Sequence, residues 1–420
     1  MARQTQSDPI SAVNLRTVAF FLFTATIFAA MLIVVPAAQA QTFNLLVAFN
    51  GLNGNGPNDL VLDSAGNLYG TTFYGGTYGD FGPGTVFKLT HHGSSWRLTT
   101  LYNFNGHSDG ANPWAGVIFG LDGELYGTTS GDGLYDHGTV YKLQPPPTGC
   151  TTARCYWKET VLYNFRGGSD GGAPQGDLAL DQAGNLYGTT FYGGQGSGSG
   201  NGVVYELSPA PGGWIESVIH AFTGGSDGGD PENGVVLDSA GNVYGSTYLG
   251  GANNLGVVYE LSYGSSGWTE TVLHDGGSDG PHPEGLVLDA SGNIYGPTFG
   301  GGSQNDGTVF ELQPASGGFN YSVIYTFQAP IGGPPPVAAL SVDSAGNLYG
   351  PGSGGTGNVG IVFELSPSGG SWNLNVLFNF DTYDGYDPFG KLTIDPQGNL
   401  YGITEYGGPS DYGVVWELTP

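Results

Sequence analysis

The chain has 420 residues, of which 78 are glycine and 26 are proline, and 13% are aromatic. Only 11% are charged, and 36 acidic residues against 9 basic ones give a net charge of −27 at pH 7. This balance excludes a nucleic-acid-binding role, because no basic patch is available to neutralise phosphates. The aromatic content and the regular recurrence of glycine exclude a disordered chain.

Residues 1–40 have the organisation of a targeting segment. Arg3 and Arg16 precede an apolar run over 18–35, which is followed by Pro36 and the small-residue pattern Ala38-Gln39-Ala40. This order predicts a signal peptide cleaved after residue 40. The run is also just long enough to cross a bilayer, so an uncleaved anchor is the alternative. We expect 41–420 to be a bacterial domain that is secreted or otherwise extracytoplasmic, in the periplasm or at the cell surface, with no membrane span in the mature chain.

The two cysteines of the chain are Cys150 and Cys155. In an oxidising compartment this spacing favours a small disulfide within one loop. No cluster of His or Cys lies nearby in the sequence to complete a metal site.

One unit recurs seven times. The pentapeptide Gly-Asn-Leu-Tyr-Gly, or a close variant, is found at Gly66–Gly70, Gly123–Gly127, Gly184–Gly188, Gly241–Gly245, Gly292–Gly296, Gly346–Gly350 and Gly398–Gly402. The six intervals from 66 to 398 cover 332 residues, about 55 each. A strand-rich repeat of that length is typical of a four-stranded propeller blade.

Each copy divides into four predicted strands. An apolar strand such as Gly234–Asp238 is followed by the turn Asp-x-x-Gly-Asn and by a second strand, Leu-Tyr-Gly-Thr-Thr. A glycine-rich loop then leads to a third strand such as Gly307–Leu312, and an aromatic-apolar run such as Trp157–Phe165 is the fourth. Val, Thr, Tyr and Phe favour strands, whereas Gly, Asn and Asp favour the turns between them.

The two ends of the mature chain are out of phase in a way that predicts ring closure. The chain begins with a fourth-type strand at 42–50 and ends with a third-type strand at Gly413–Leu418. A composite blade joining 42–50 to 388–418 would remove both free sheet edges. The sequence therefore predicts an all-β fold, a single seven-bladed β-propeller over 41–420, closed by the N-terminal strand.

These motifs resemble those of the GloVer-type tandem-repeat family of exported bacterial proteins. The resemblance is carried by Asp-x-x-Gly-Asn-Leu-Tyr-Gly-Thr-Thr, Gly-Gly and Gly-Thr-Val-Phe-Lys-Leu, best preserved over Asp63–Leu89. It implies a surface or secreted repeat protein and no particular activity. The turn is similar, more loosely, to that of NHL-type and gluconolactonase-like propellers. Two copies depart from the pattern, with Gly120 at the usual Asp position and Gly-Pro-Gly at 350–352.

The repeated tyrosines and turn aspartates are interpreted as structural. A tyrosine recurs in every copy, where it would pack between blades, and an aspartate before x-x-Gly-Asn would accept N–H groups of its own turn. The tyrosines are Tyr69, Tyr126, Tyr187, Tyr244, Tyr295, Tyr349 and Tyr401, and the aspartates are Asp63, Asp181, Asp238, Asp289, Asp343 and Asp395.

A second aspartate series is the candidate metal site. Asp-Gly-x-x-Pro recurs in the loops from each outer strand to the next inner strand, at Asp109, Asp170, Asp227, Asp279 and Asp384. The Asp-Gly pair suffices to make the turn, and the proline to start the strand. The alternative is that hard oxygen ligands at this density hold Ca²⁺.

Irregular polar residues on the same loop face are the candidate ligand contacts, namely Asp230, Glu232, His282, Glu284 and Asp387. Gly-Gly-Ser-Asp-Gly at 167–171 matches the serine-hydrolase elbow in letters only, because no helix follows it. The histidines do not recur in register and show no metal-binding spacing.

The function most consistent with these features is a non-catalytic binding or interaction propeller outside the cell, with a polysaccharide or a cell-surface protein as partner and Ca²⁺ as the one cofactor it would use. A propeller hydrolase or lyase acting on a carbohydrate or lactone at the channel mouth is the first alternative. A purely structural surface protein is the second. The sequence assigns no catalytic residue, and an enzyme is the less favoured interpretation.

Overall fold

The computed structural model describes residues 41–93, 95–147, 156–194, 200–328 and 338–419. Within these residues all regular elements are β-strands, and they form seven antiparallel sheets. The sheets are the blades of a ring, so the protein is a seven-bladed β-propeller, and the prediction from the repeat is confirmed. Blades 1 to 6 span 55–103, 118–164, 179–221, 236–275, 287–326 and 341–379, and blade 7 spans 386–419 together with 42–48. The segment 1–40, Cys150, Cys155 and the loop at 332–336 lie outside the described residues.

The strands follow the predicted order within each blade. The inner strands are Val61–Leu62, Ile118–Phe119, Ala179–Leu180, Val236–Leu237, Val287–Leu288, Ser341–Val342 and Tyr386–Ile394, and blade 1 has an additional short strand, Asn55–Pro57. The second strands are Leu68–Tyr74, Leu125–Thr129, Leu186–Thr190, Val243–Thr247, Ile294–Thr298, Leu348–Gly352 and Leu400–Tyr406. The third strands are Thr85–His92, Thr139–Gln144, Val203–Ala210, Val257–Gly264, Thr308–Ala315, Ile361–Ser368 and Val414–Thr419. The outer strands are Ser95–Asn103, Lys158–Asn164, Gly213–Ala221, Gly267–Asp275, Gly318–Thr326, Ser371–Asn379 and, in blade 7, Thr42–Ala48.

Blade 7 closes the ring as predicted. Its outer strand, Thr42–Ala48, pairs antiparallel with the third strand, Val414–Thr419, starting from the pair Thr42 and Thr419. The ring of Phe43 stacks on Phe378 of blade 6, with centroids 4.1 Å apart. The first and the last of the described strands therefore share one sheet.

The turn between the first and second strands is held by its aspartate. In blade 1, Oδ1 of Asp63 accepts hydrogen bonds from the backbone N–H groups of Ala65 and Asn67, at 2.9 and 2.8 Å. Oδ2 accepts from Nδ2 of Asn67 and from the hydroxyl of Tyr69. The tyrosine ring is buried between blades, so one residue joins turn and core. The same bonds recur at Asp181, Asp238, Asp289, Asp343 and Asp395.

In blade 2 a glutamate takes over the role of this aspartate. A Cβ on Gly120 would lie 2.4 Å from the ring of Tyr126, so the tyrosine occupies the vacated space. Its hydroxyl donates instead to Glu124, which also accepts from Nζ of Lys142 at 3.0 Å. The irregular turn thus keeps a carboxylate partner for its tyrosine.

Three consecutive blade interfaces carry polar residues at positions that are apolar or aromatic elsewhere. In each blade one residue of the outer strand pairs with a leucine of the third strand. This residue is a glutamate in blades 2, 3 and 4, namely Glu159, Glu216 and Glu270. In the other four blades it is Leu98, Tyr321, Leu374 or Phe43. Two residues before that leucine, the same three blades have Tyr141, Tyr205 and Tyr259, and the other four have Phe87, Phe310, Phe363 and Trp416. The three tyrosine hydroxyls and one oxygen of each glutamate are buried without a hydrogen-bond partner.

Candidate functional site

A central cavity of about 850 Å³ runs between the inner strands, and residues of all seven blades line it. Most of its wall is apolar, with side chains such as Val61, Ile118, Val236 and Val287. The charged lining residues, together with Gln175 and Asn233, gather at the end where the inner strands begin, which we call the cavity mouth. The loops from outer to inner strands, and those from second to third strands, lie on this face, because consecutive strands are antiparallel.

One row of the inner strands sets the chemistry of the mouth. The residue before the buried apolar position of each inner strand is aspartate in blades 1 and 3 and lysine in blade 7, and it is glycine or alanine in the other four blades. The row reads Asp59, Gly116, Asp177, Gly234, Gly285, Ala339 and Lys391. Each of the three charged residues has a glycine or alanine on at least one side, which leaves room for its side chain to lie across the ring.

The carboxyl groups of Asp59 and Asp177 are hydrogen-bonded to each other across blade 2. A Cβ on Gly116 would lie 2.9 Å from Cβ of Asp59, so only glycine leaves this path open. Each carboxyl also accepts a backbone N–H from the preceding blade, Asp59 from Lys391 at 2.7 Å and Asp177 from Gly116 at 3.1 Å. Both side chains are therefore fixed in position.

The surroundings of the pair favour protonation of Asp59. Burial raises the pKa of the Asp59 carboxyl well above its usual range, and the neighbouring Asp177 carboxylate raises it further. The backbone N–H and the charge of Lys391 act in the opposite direction and are weaker. Two carboxyls this close do not both ionise readily, so a protonated Asp59 that can donate a hydrogen bond is favoured.

A second polar group lies on the blade 4 side of the mouth. Glu232 and Asn233 line the cavity, and Nδ2 of Asn233 donates to Glu284 at 3.1 Å. Burial and then the charge of Glu232 raise the pKa of Glu284 to about 7, although the bond from Asn233 opposes this. Burial, followed by the charge of Asp230, also raises the pKa of Glu232. Glu284 does not line the cavity itself, but its hydrogen bond fixes the side chain of Asn233.

The five candidate ligand residues divide into two groups. The structure places Glu232 at the mouth, and Glu284 behind it as the hydrogen-bond acceptor of the lining residue Asn233. Asp230, His282 and Asp387 instead precede the loop prolines in the left-handed conformation, with φ of 55°, 52° and 53°, and do not line the cavity. Nδ1 of His282 donates to the carbonyl of Tyr248 at 2.7 Å. Ligand contact by these three residues remains a prediction.

The candidate metal ligands Asp109, Asp170, Asp227, Asp279 and Asp384 lie in five separate loops on the same face. The first three accept hydrogen bonds from their own loop or from the outer strand before it, for example Asp109 from Tyr102 at 2.8 Å and Asp170 from Tyr163 at 2.9 Å. Asp279 is about half exposed, 4.0 Å from His274. The N–H of Asp384 donates to Asp381. In the part of the chain that is described, no group of three or more His, Cys, Asp or Glu is arranged to hold a metal. Calcium binding stays a prediction.

Sequence reasoning missed Asp59, Asp177 and Lys391. They do not belong to any repeated motif, and in the linear sequence each is one charged residue among many. Aligning the seven inner strands on their buried apolar residue would have revealed the row, because charge stands there against glycine and alanine. Which of these residues touch could not have been read from that alignment.

Fold and site together define a seven-bladed propeller with a closed ring and an apolar central cavity that is acidic at one end. The chain belongs to the Gloeobacter/Verrucomicrobia repeat family, whose model matches residues 33–259, 155–335 and 274–420. The resemblance found in the repeat motifs is thereby confirmed. No curated protein sequence matches this chain significantly.

Solved structures with the same fold are distant in sequence. The extracellular domain of a candidate hybrid two-component system from B. thetaiotaomicron matches with a TM-score of 0.52 at 12% identity, over 89% of this chain and 39% of that one. A candidate 6-phosphogluconolactonase from Bacteroides fragilis matches with a TM-score of 0.50 at 14% identity, over 82% of this chain and 89% of that one. At these identities the likeness shows the fold alone. No helix within the described residues has the length and apolar character of a membrane span.

Proposed function

We propose that this protein is an exported binding propeller that takes a neutral saccharide at the cavity mouth and does not turn it over. The observation that carries the proposal is the convergence of the Asp59–Asp177 pair, Glu232 and Asn233 at one end of an otherwise apolar cavity. Ligand sites commonly combine an apolar lining with a few fixed polar groups.

The charges at the mouth select against anions. Asp59, Asp177 and Glu232 line it with Lys391 as the one base among its described residues, and the whole chain carries a net charge of −27. Fixed carboxyls of both protonation states can accept from and donate to sugar hydroxyls. The apolar faces of a pyranose ring would meet Trp114 and Phe389, which also line the mouth. Export is supported by the predicted signal peptide at 1–40.

Binding can be tested by calorimetric titration with neutral disaccharides, namely cellobiose, maltose, xylobiose and laminaribiose. Asp177→Asn keeps an oxygen for the Gly116 N–H and removes the charge, and we expect it to weaken binding about tenfold or more, as loss of a charged hydrogen-bond partner does. Asp122→Asn is the matched control, because Asp122 is exposed in the turn at the other end of its inner strand. Absence of binding to all four sugars would overturn the proposal.

A hydrolase or lyase at the mouth is the second candidate. It is favoured by the same pair, because one protonated and one ionised carboxyl are what general acid and base catalysis requires. Glycosidase carboxyls, however, stand about 5–9.5 Å apart, and a pair in direct hydrogen bond is closer than that. Chromatography of the four disaccharides and of glucono-δ-lactone after incubation separates the candidates. Product formation that is lost in both Asp59→Asn and Asp177→Asn would replace the binding proposal.

A further inference from the structure

Four aromatic rings form a continuous line from the cavity mouth towards the outside of the same face. Trp114 lines the cavity and packs edge-on against Phe73, with centroids 4.9 Å apart. Phe73 contacts Tyr74 at 4.4 Å, and Tyr74 contacts Phe81 at 6.0 Å. We call these four residues the aromatic track.

Three of the four rings are exposed where a packing role would require burial, and Phe73 is half-buried. Phe81 is 83% exposed, Trp114 is 43% exposed and Tyr74 is 38% exposed. Single exposed aromatic side chains are ordinary, but contiguous apolar surface on a soluble protein usually marks a binding site. The equivalents of Tyr74 in blades 2, 5 and 6 are Gly131, Gly300 and Gly354, so the repeat itself does not demand a ring there.

The loop that carries Phe81 is anchored from two sides. Nδ2 of Asn55 donates to the carbonyl of Asp80 at 2.9 Å. The hydroxyl of Tyr412, from blade 7, donates to Oδ2 of Asp80 at 2.7 Å. Phe81 is therefore presented on a fixed loop, and a ligand that stacks on it has little ordering entropy to overcome.

We propose that the aromatic track binds successive sugar rings of a neutral polysaccharide whose end occupies the cavity mouth. This inference rests on the proposed function and extends it from a single sugar to a chain. Successive rings of the track are turned by 77–89° to one another, so they offer both ring edges and ring faces to the apolar faces of pyranoses. Aromatic side chains contribute large contact areas at low entropic cost. The net charge of −27 disfavours anionic polymers.

The test compares chain lengths on the intact protein. Affinities are measured by calorimetry for the disaccharides above and for the hexasaccharides of the same four linkages. The expected result is a hexasaccharide that binds at least about tenfold more tightly than its disaccharide. Phe81→Ala and Tyr74→Ala should remove most of that gain and leave the disaccharide affinity unchanged. Tyr263→Ala is the matched control, because Tyr263 is 71% exposed on the opposite face and lies far from the mouth in sequence and blade.

The outcomes separate the two proposals. If a disaccharide binds, and the hexasaccharide gains nothing or keeps its gain in both track variants, the track is not a binding surface and the proposed function stands. If Phe81→Ala weakens hexasaccharide binding and Asp177→Asn does not, the track stands and the mouth does not. Binding of cationic peptides in place of any saccharide would overturn both. Thermal unfolding of Phe81→Ala should match that of the wild type, since an exposed ring contributes little to stability.

Discussion

At the scale of single residues, the Asp59–Asp177 pair distinguishes this protein from a purely structural propeller. A buried carboxyl next to another carboxyl is costly, since burial and like charge both disfavour ionisation. Each oxygen that accepts a backbone N–H from a neighbouring blade recovers part of that cost. Carboxyl groups with strongly shifted pKa values are concentrated at functional sites and also occur in structural networks.

The raised pKa of Asp59 predicts a specific dependence of stability on pH. In the unfolded chain an aspartate titrates near pH 4. The contribution of protonated Asp59 to the free energy of unfolding is therefore fully present below that pH and is lost as the pH rises through the raised pKa of the folded state. Asp59→Asn can keep the bond from the Lys391 N–H and donate to Asp177 at every pH. We therefore expect the Tm of this variant to exceed that of the wild type increasingly from pH 4 to pH 9. Parallel curves, as Asp122→Asn should give, would contradict this.

Gly116 predicts a steric effect at the same place. Its φ is ordinary, but a Cβ would lie 2.8 Å from the backbone oxygen of Asp59. Gly116→Ala should lower the free energy of unfolding by about 1–3 kcal/mol, as overpacking does, and should also weaken disaccharide binding. Gly264→Ala is the control, because a Cβ at Gly264 meets open space. Chemical denaturation measures both variants, and equal stabilities would show that the mouth relaxes freely.

Among the structural elements, the outer strands of blades 2, 3 and 4 stand out. Each places a glutamate beside the loop aspartate of the preceding blade, where the other blades place an apolar or aromatic side chain. The three pairs are Glu159 with Asp109, Glu216 with Asp170 and Glu270 with Asp227. Tyr102, Tyr163 and His220 face the same aspartates. The third-strand residues Tyr141, Tyr205 and Tyr259 occur in the same three blades, so the buried tyrosine and the glutamate are found together in each of them.

These interfaces predict a loss of stability between mildly acidic and neutral pH. Burial, and then the charge of the paired aspartate, raises the pKa of Glu159, Glu216 and Glu270 to about 7. A glutamate in the unfolded chain titrates near 4.3, so the folded state binds more protons between about pH 4.3 and 7 and loses stability across that window. The triple variant with Gln at the three positions should match the wild type at pH 5 and have a higher Tm at pH 8. A wild-type Tm that rises from pH 5 to pH 8 would contradict this.

The loop aspartates predict a stability effect with or without metal. Asp170 accepts from the hydroxyl of Tyr163 and the N–H of Arg166, so Asp170→Ala should cost about 1–3 kcal/mol by leaving these donors unpaired. If the residue is only a turn residue, the cost is the same in EDTA and in millimolar Ca²⁺. A saturable rise of the wild-type Tm with Ca²⁺ that Asp170→Ala abolishes would establish the calcium alternative.

At the scale of the whole molecule, the composite blade makes the ring depend on a strand from the other end of the chain. Val414–Thr419 would be a free edge without Thr42–Ala48. Phe43 packs on Phe378 and Phe380, and Phe49 is buried against Phe87 of blade 1. The N-terminal strand thus holds blade 7 to both of its neighbours.

Removing that strand should open the ring. A chain that begins at residue 51 loses the half-buried Phe43 and the buried Phe49, and a buried phenylalanine alone is worth about 3–5 kcal/mol. We expect a strongly lowered Tm and concentration-dependent association through the exposed edge, measured by calorimetry and light scattering. A chain that begins at residue 41 is the control and should stay cooperative. Equal Tm values for the two chains would show that closure contributes little.

Much of the fold could be predicted from the sequence, because its determinants are local and repeated. Asp63, Gly66 and Tyr69 lie within seven residues and specify one turn and the strand after it, and the same set returns along the chain. Glu232 and Glu284 could be singled out because they flank the loop prolines. The Asp59–Asp177 pair could not be singled out, because the properties of each residue depend on a partner two blades away.

The sequence by itself determined the number of blades, the strand order and the closure of the ring, because hydrophobic period and turn chemistry act over a few residues at a time. Only the tertiary structure decided which irregular side chains meet. Asp59, Asp177 and Lys391 come from three different repeats, and the closing of the ring places them in one row. Trp114 and Phe81 likewise join one line of rings through contacts between two blades. The pKa of a carboxyl and the reach of a binding surface depend on distances in space, and those distances are set by the packing of the blades.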